Sequence, residues 1–249
     1  MLKYINLIFY VNLILFIRLA RAPLPSIFPV CFRDDPQLGE CIVRAVKVLQ
    51  PRLITGDLGE GYIIPKIDPF YIPKIIYGTD RVFKAILSDV YLKGMSNFNI
   101  DKLHVDINDI RFDMILSFPK IDMTANYQMI FNLFGAPLFS EGKMHEGLSN
   151  TKIRLIMKAR LYNKNRQRYL KFDPFYFKIL QNSVRFINFT NLFPNTILIG
   201  PIVQNYIVSN IDFFTRNIYP NFERAFTDTF TQVANKISVG ATFDEAFPI

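Results

Sequence analysis

The stretch FDMILSFPKIDMTANYQMIF, residues 112–131, alternates apolar and polar side chains over most of its length. A period of two is typical of a β-strand with one apolar face and one face in water. A long strand that faces water on one side favours an antiparallel sheet. The apolar set, which we predict to point inward, comprises Phe112, Met114, Leu116, Met123, Tyr127, Met129 and Phe131.

The sequence on either side of this stretch predicts further strands of the same kind. Residues 103–107 alternate as well, and the apolar parity then changes at Asn108 and Asp109, which indicates a turn or a bulge. Residues 153–161 alternate again between apolar and basic side chains. They add Leu155 and Met157 to the inward set.

Other segments carry turn or loop signals. A polar turn at 163–168 precedes a strand-like segment at 169–189, which adds Phe177 to the inward set. Residues 57–80 are rich in glycine and proline and predict loops, and residues 142–147 predict a loop between two strands.

The C-terminal part of the chain has the periodicity of a helix. Apolar residues recur three or four positions apart from about 197 to 239, and the stripe continues past Pro220. About 40 helical residues at ~1.5 Å per residue make a rod of roughly 60 Å. We expect Pro220 to kink this rod and Gly240 to end it. The stripe adds Phe214, Ile218 and Phe222 to the inward set.

The strands and the helix together predict an α+β fold. Each strand has one apolar face to bury, and one long C-terminal α-helix must cover them all. A highly curved antiparallel β-sheet wrapped around the helix meets this requirement, and such a wrap could enclose a tunnel. An open two-layer sandwich of sheet and helix remains the alternative.

Residues 1–22 have the layout of a secretory signal peptide. A basic start precedes an apolar run at 4–17 and an Ala-Arg-Ala exit at 20–22. Cleavage after Ala22 or Ala20, or an uncleaved anchor, remains open. Without this segment the net charge falls from +8 to +5, because 26 basic residues then face 21 acidic ones. The remaining chain, 23–249, is predicted to be one secreted, extracellular domain.

The composition and the N-terminal cysteines fit a folded extracellular protein. Half of the residues are hydrophobic and 15% are aromatic, which excludes intrinsic disorder. Asp34, Asp35 and Pro36 form a helix-start signal, and a short helix is expected to follow. A Cys31–Cys41 disulfide would fasten the N-terminal arm to this helix. Two unpaired buried thiols are the alternative.

Catalytic and metal-binding motifs are missing from the sequence, so we predict neither an enzyme nor a cofactor. The chain has two histidines, His104 on the polar face of a strand and His145 in the predicted loop at 142–147. Acid–base chemistry by His145 with Glu141 or Glu146 is possible, but a solvated loop explains these residues better. A hydrolase would need a nucleophile beside a histidine, and no Gly-x-Ser-x-Gly motif is present. Asn188 lies in an N-glycosylation sequon.

A basic strand face and its turn offer a second binding surface. We expect this face either to be simply solvated or to contact a receptor or an anionic surface. The residues are Lys152, Arg154, Lys158, Arg160, Lys164, Arg166 and Arg168.

The inward residues named above are either ordinary core or the lining of a tunnel for a flexible hydrophobic molecule. Tyr127 and Tyr206 could offer hydroxyl groups to such a ligand or to the backbone. The predicted function is that of a carrier for a small hydrophobic ligand. The alternative is an extracellular protein-interaction module that has a filled core and binds through its basic outer face.

The chain resembles the insect takeout and haemolymph juvenile-hormone-binding family, within the tubular lipid-binding superfamily. The resemblance rests on a set of short stretches that follow the family order along the chain. They are 24–26 (LPS), 34–41, 51–53 (PRL), 67–75 (IDPFYIPKI), 92–107 (LKGMSNFNIDKLHVDI), 112–129, 191–193 (NLF) and 243–248 (FDEAFP).

This resemblance implies a long C-terminal helix wrapped by a curved sheet, with the Cys31–Cys41 bridge carried over. It also implies an extracellular carrier with a hydrophobic tunnel for a terpenoid of the juvenile-hormone type, a fatty acid or a related lipid. Three segments depart from the family pattern and concern the shape of the tunnel. They are 142–147, without closely spaced glycines, 217–218, where many members have a Trp, and 194–201.

Overall fold

The computed structural model describes residues 27–79, 83–133, 136–194 and 198–249. The predicted signal peptide, residues 1–22, lies outside the described residues. The helices are α1 (Leu38–Leu49), α2 (Ile199–Ser209), α3 (Ile211–Ser238) and α4 (Phe243–Ala246), and a 3₁₀ turn (Gln50–Leu53) follows α1. The strands are β1 (Phe70–Thr79), β2 (Phe83–Lys93), β3 (Asn99–Asp106), β4 (Arg111–Leu133), β5 (Ala136–Lys164), β6 (Gln167–Phe172) and β7 (Tyr176–Phe189).

The strands form one antiparallel sheet in the order β1-β2-β4-β5-β6, with β3 paired to β4 and β7 paired to β5. The alternating stretch at 112–131 is confirmed as part of a single strand, β4. The parity change at Asn108 and Asp109 is confirmed as the turn between β3 and β4.

One loop prediction is wrong, and another holds only for 57–69. Within 57–80 the strand β1 begins at Phe70, and residues 142–147 lie inside β5. Here β5 pairs with β4 on one side and with β7 on the other. Pairing with β4 at Gly142, and with both β4 and β7 at Gly147, outweighs the poor strand propensity of glycine.

A change of parity near the middle of β4 and β5 helps the sheet to curve. Buried positions in β4 are even-numbered up to Phe118 and odd-numbered from Ile121 onward. On β5, Asn150 has a left-handed backbone (φ 51°) and lies between the partners of Phe118 and Lys120. Irregularities of this kind bend strands and increase their twist.

The C-terminal apolar stripe forms two helices, so the prediction of one continuous rod is wrong. The chain breaks at Asn210, whose side-chain amide donates to the carbonyl of Tyr206 at 2.9 Å. Pro220 stays inside α3. Pro220 and Arg216, whose carbonyl loses its helical partner to the proline, are both exposed. Water can therefore satisfy that carbonyl.

Helix α3 closes the wrap because it packs against β1, β6 and β7, which lie at opposite ends of the sheet. Phe70 of β1 lies 5.3 Å from Phe226 and 5.4 Å from Phe230, between ring centroids. Phe177 of β7 lies 5.8 and 5.6 Å from the same two rings. These four rings join the two sheet margins through the helix. The predicted wrap is confirmed, and the open sandwich is excluded.

A polar stripe on α3 seals the helix against the backbone at β6 and β7. Its members recur every four residues and so lie on one side of the helix. They are Tyr219, Glu223, Thr227, Thr231 and Asn235. Glu223 accepts from the Ile179 amide at 2.9 Å, and Thr231 accepts from the Phe175 amide at 2.9 Å. The free margin of the sheet is thereby paired and covered.

We expect Asn235→Ala to lower the free energy of unfolding by about 1–2 kcal/mol. The Asn235 side chain accepts from the Phe172 amide at 2.8 Å and donates to the Phe172 carbonyl at 3.1 Å. Alanine leaves both backbone groups without this partner at the contact between α3 and β6. Urea unfolding followed by circular dichroism measures the change. The control is Lys236→Ala, at the exposed neighbouring position. Equal losses of unfolding free energy in the two variants would show that the Asn235 hydrogen bonds do not stabilise the contact between α3 and β6.

The N-terminal arm is bridged as predicted. The Cys31–Cys41 disulfide is present, with a Cα–Cα distance of 5.8 Å, so the alternative of two unpaired thiols is excluded. The helix begins later than the cap pattern predicts, at Leu38, because Asp35 closes a turn by accepting from the Gln37 amide at 2.7 Å.

Candidate functional site

Among the described residues, side chains fill most of the space between the sheet and α3 and leave two small cavities there. The first has a volume of about 50 Å³ and the second about 70 Å³. Both are apolar over most of their lining. Five residues line both cavities and form the wall between them: Met123, Glu146, Thr215, Ile218 and Phe222.

The structure distributes the thirteen inward residues between cavity lining and packed core. Five line one or both cavities: Met123, Met129, Phe214, Ile218 and Phe222. Seven lie in or against the core away from the two cavities: Phe112, Met114, Leu116, Tyr127, Leu155, Met157 and Phe177. Phe131 is half-buried, and its ring packs edge-on against Phe83 at 6.3 Å. The alternation therefore identified inward positions, while the presence of empty space beside them depends on what faces them.

The two tyrosines considered as hydroxyl donors are placed differently. The Tyr127 hydroxyl donates to the Thr190 carbonyl at 2.7 Å and lies 3.1 Å from the Ser140 hydroxyl. This hydroxyl therefore bonds within the protein, and Tyr127 lines neither cavity. Tyr206 on α2 is 56% exposed, and its ring packs edge-on to Phe214 at 6.0 Å.

Glu146 lies in a different environment from the solvated loop that the sequence predicts. It belongs to β5, its side chain points inward, and it is 6% exposed. Its neighbour His145 points to the opposite face, as consecutive strand residues do, and stacks edge-on against Phe186 at 4.8 Å. The inward parity of Met144 and Leu148 was the signal that could have located Glu146.

The carboxyl group of Glu146 has no hydrogen bond or ion pair within the described part of the chain. Burial is the cause that raises its pKa from 4.5 to about 7. Burial likewise raises the pKa of Tyr77 and of Tyr219, which line the second and the first cavity respectively. Within the part of the chain that the structure describes, no Lys or Arg side chain lines either cavity.

Other polar groups of the first cavity are mostly paired. The Tyr219 hydroxyl donates to the side-chain oxygen of Asn182, and the Thr215 hydroxyl donates to the Ile211 carbonyl at 2.9 Å. The Thr151 hydroxyl is buried and, among the described residues, has no partner. Glu146 and Thr151 therefore bring unsatisfied hydrogen-bonding capacity to the same cavity.

The basic strand face is largely neutralised by neighbouring carboxylates. Arg154 donates to both oxygens of Asp113, at 3.0 and 2.7 Å, and these bonds lower the pKa of that carboxyl. Further ion pairs join Lys152 to Asp101, Lys158 to Asp109, Arg160 to Asp173 and Arg168 to Asp244. Lys164 and Arg166, at the turn between β5 and β6, are the two cations of the set left without an ion pair within the described residues.

The remaining candidates lie on the surface. His104 and His145 are exposed on outward strand faces, and Asn188 is exposed on β7. Among the described residues, no three His, Cys, Asp or Glu side chains are grouped in a way that could hold a metal ion.

Comparison with known protein families agrees with the architecture described above. The family model for haemolymph juvenile hormone binding protein matches residues 9–248. The chain belongs to this family. The match covers the wrap, the two cavities and the N-terminal disulfide together. A search of the curated proteins returns no match.

Two solved structures are similar to this member of the juvenile hormone binding protein family to different degrees. Takeout 1 of Epiphyas postvittana is similar with a TM-score of 0.72 and 14% identity, over 89% of this chain and 100% of that one. Lipopolysaccharide binding protein gives a TM-score of 0.31 and 10% identity, over 76% of this chain and 38% of that one. The likeness to Takeout 1 supports the wrapped fold.

Family membership supports a binding or carrier role for a small hydrophobic molecule. The family is named for a hormone-binding protein of haemolymph. No helix in the described residues is both long enough and apolar enough to cross a bilayer.

Proposed function

We propose that this protein is a secreted carrier that holds one small hydrophobic ligand between the sheet and α3. The ligand class is a terpenoid of the juvenile-hormone type, a fatty acid or a related lipid. The observation that carries the proposal is the pair of apolar cavities inside the wrap, divided by a wall of five side chains. Family membership supports the same role.

The ligand needs more room than the two cavities provide. Pockets for drug-sized molecules usually measure ~300–1,000 Å³, well above either cavity. The lining is adaptable, since Met95 lines the first cavity, Met129 and Met144 line the second, and Met123 lines both. Methionine is unbranched and flexible, so its side chain can repack around a guest. We propose that binding displaces the wall at Met123 and Ile218 and merges the cavities into one tunnel.

Binding is driven by the removal of apolar ligand surface from water. Each Å² of that surface contributes roughly 25 cal/mol, so a long apolar chain gains more than a short one. The alternative of an interaction module is weaker because most cations of the basic face are already paired with carboxylates. Its remaining support is the pair of cations at the β5–β6 turn.

Secretion is part of the proposal and rests on residues 1–22. N-terminal sequencing of protein released by expressing insect cells tests it, since cleavage gives a chain that starts at Arg21 or Pro23. Retention of Met1 in the cell membrane fraction would contradict it. The same material shows by its mass, before and after glycosidase, whether Asn188 carries a glycan.

Filling the wall should abolish ligand uptake. We expect Ile218→Trp to weaken the binding of a fluorescent fatty acid by at least about tenfold, because the larger ring occupies both cavities. Fluorescence titration measures the affinity, and circular dichroism checks that the variant folds. Overpacking costs about 1–3 kcal/mol, so Ile218→Phe serves as a milder version.

The matched control is Ile76→Trp, at an exposed position of β1. It introduces the same side chain outside the wrap and should leave uptake unchanged. Equal binding by folded Ile218→Trp and Ile76→Trp would contradict an interior site. Absence of uptake by the unaltered protein would contradict the carrier function itself.

A further inference from the structure

Glu146 is an unusual side chain for the interior of an apolar carrier. It lies inside the sheet wrap, 6% exposed, and lines both cavities. Buried polar groups in folded proteins are almost always hydrogen-bonded, and those without a partner need an explanation. The Glu146 carboxyl makes no hydrogen bond or ion pair to a described residue, and burial is the only cause of its raised pKa. The Thr151 hydroxyl beside the first cavity also lacks a partner among the described residues.

The surroundings of Glu146 define what could satisfy it. Thr215 and Tyr219 face it from α3, but both hydroxyls already donate elsewhere. Met123 of β4, with Ile218 and Phe222 of α3, supplies the apolar remainder of the wall. The carboxyl group therefore lies between two apolar cavities, where it offers a hydrogen-bonding group to anything that occupies them.

We propose that Glu146 is the hydrogen-bonding anchor for an oxygen atom, of an ester, ketone or hydroxyl group, on the otherwise apolar ligand that fills the two cavities. This proposal rests on the proposed carrier function. The protonated carboxyl donates to the ligand oxygen, and the apolar parts of the ligand extend to either side. Glu146 would thus select oxygenated lipids over plain hydrocarbons and set their position along the tunnel.

The protonation state required for this role is consistent with the site. Burial keeps Glu146 protonated up to a pH of about 7. The other titratable groups that line the cavities, Tyr77 and Tyr219, have pKa values above the ordinary 10 and stay neutral in this range. Asp212 and Arg216 of α3 are exposed and act on Tyr219. His145 faces the opposite side of β5.

The test compares two probes of similar length, methyl dodecanoate and pentadecane, as competitors of the uncharged fluorophore N-phenyl-1-naphthylamine. At about pH 5.5 we expect Glu146→Leu to reduce the preference for the ester over the alkane about tenfold, the effect of one lost hydrogen bond in a buried site. Glu146→Gln should keep the preference within about threefold, because the amide still donates.

A pH series separates an anchor from a merely structural residue. Raising the pH from about 5.5 to about 8.5 should lower the ester preference of the unaltered protein, because the ionised carboxylate cannot donate. Glu146→Gln should show no such fall, and His145→Gln should show the same fall as the unaltered protein. The second variant controls for the neighbouring imidazole.

The outcomes separate the anchor from the carrier function. An ester preference that survives in Glu146→Leu would overturn the anchor while leaving the carrier intact. If neither probe displaces the fluorophore and the fluorescent fatty acid is also not taken up, the carrier function fails, and the anchor fails with it.

Discussion

Replacing Phe70 with alanine is expected to lower the free energy of unfolding by about 3–5 kcal/mol, the usual cost of removing a buried phenyl ring. Phe70 is 1% exposed, and its ring contacts Phe226 and Phe230 of α3. Phe70 is the residue of β1 in the four-ring cluster that joins both margins of the sheet through α3. Its loss opens a cavity at the closure of the wrap.

Urea unfolding followed by circular dichroism measures this change, since the chain has no tryptophan to serve as a fluorescent probe. Leu180→Ala is the matched control, because Leu180 lies on β7 and is largely exposed. We expect that variant to lose less than about 1 kcal/mol. A similarly small loss in Phe70→Ala would show that the ring cluster does not hold the sheet closed.

Replacing Glu146 with glutamine is expected to stabilise the protein by about 3 kcal/mol at pH 8, while the two proteins have nearly equal stability at pH 4. The pKa of Glu146 rises from 4.5 to about 7 on folding because of burial. Between these values the unfolded chain releases the proton and the folded chain retains it. Stability therefore falls as the pH rises through this window, by about 1.4 kcal/mol per unit.

Glutamine removes this dependence because it stays neutral at every pH. Urea unfolding between pH 4 and pH 9 measures both proteins. Glu141→Gln is the control, since it removes the same charge from an exposed position of β5. Parallel stability curves for the unaltered protein and Glu146→Gln would show that Glu146 is not protonated inside the wrap.

The effects of Glu146 on stability and on binding are connected. A buried acid that lacks an internal partner destabilises the empty protein at neutral pH, and a ligand oxygen would supply the missing partner. Ligand binding should therefore stabilise the folded state beyond the contribution of apolar burial. In this need for a ligand Glu146 differs from Asn235, whose hydrogen-bond partners belong to the protein itself.

Much of the fold was predictable from periodicity. The alternation in 112–131 identified the inward face of β4, the parity change at Asn108 located a turn, and the helical stripe identified the element at the centre of the wrap. The disulfide followed from Cys31 and Cys41 in a chain that carries a secretory signal pattern. Each of these signals is local, or nearly so, in the chain.

The errors occurred where neighbouring elements outweigh local preference. Residues 142–147 have loop-like composition, yet pairing on both sides holds them in β5. Pro220, in contrast, lies inside α3 as expected, and its side of the helix faces water. The helical stripe is interrupted at Asn210 instead, between α2 and α3.

The periods of the elements, the inward sets and the large apolar interior follow from the order of apolar and polar residues in the chain. Only the folded arrangement shows which inward residues border empty space, and that Glu146 is among them. Periodicity reports the direction of a side chain relative to its own backbone. Burial, an unpaired carboxyl and a cavity depend on what faces that side chain, and here the facing groups come from β4 and α3, distant in the chain.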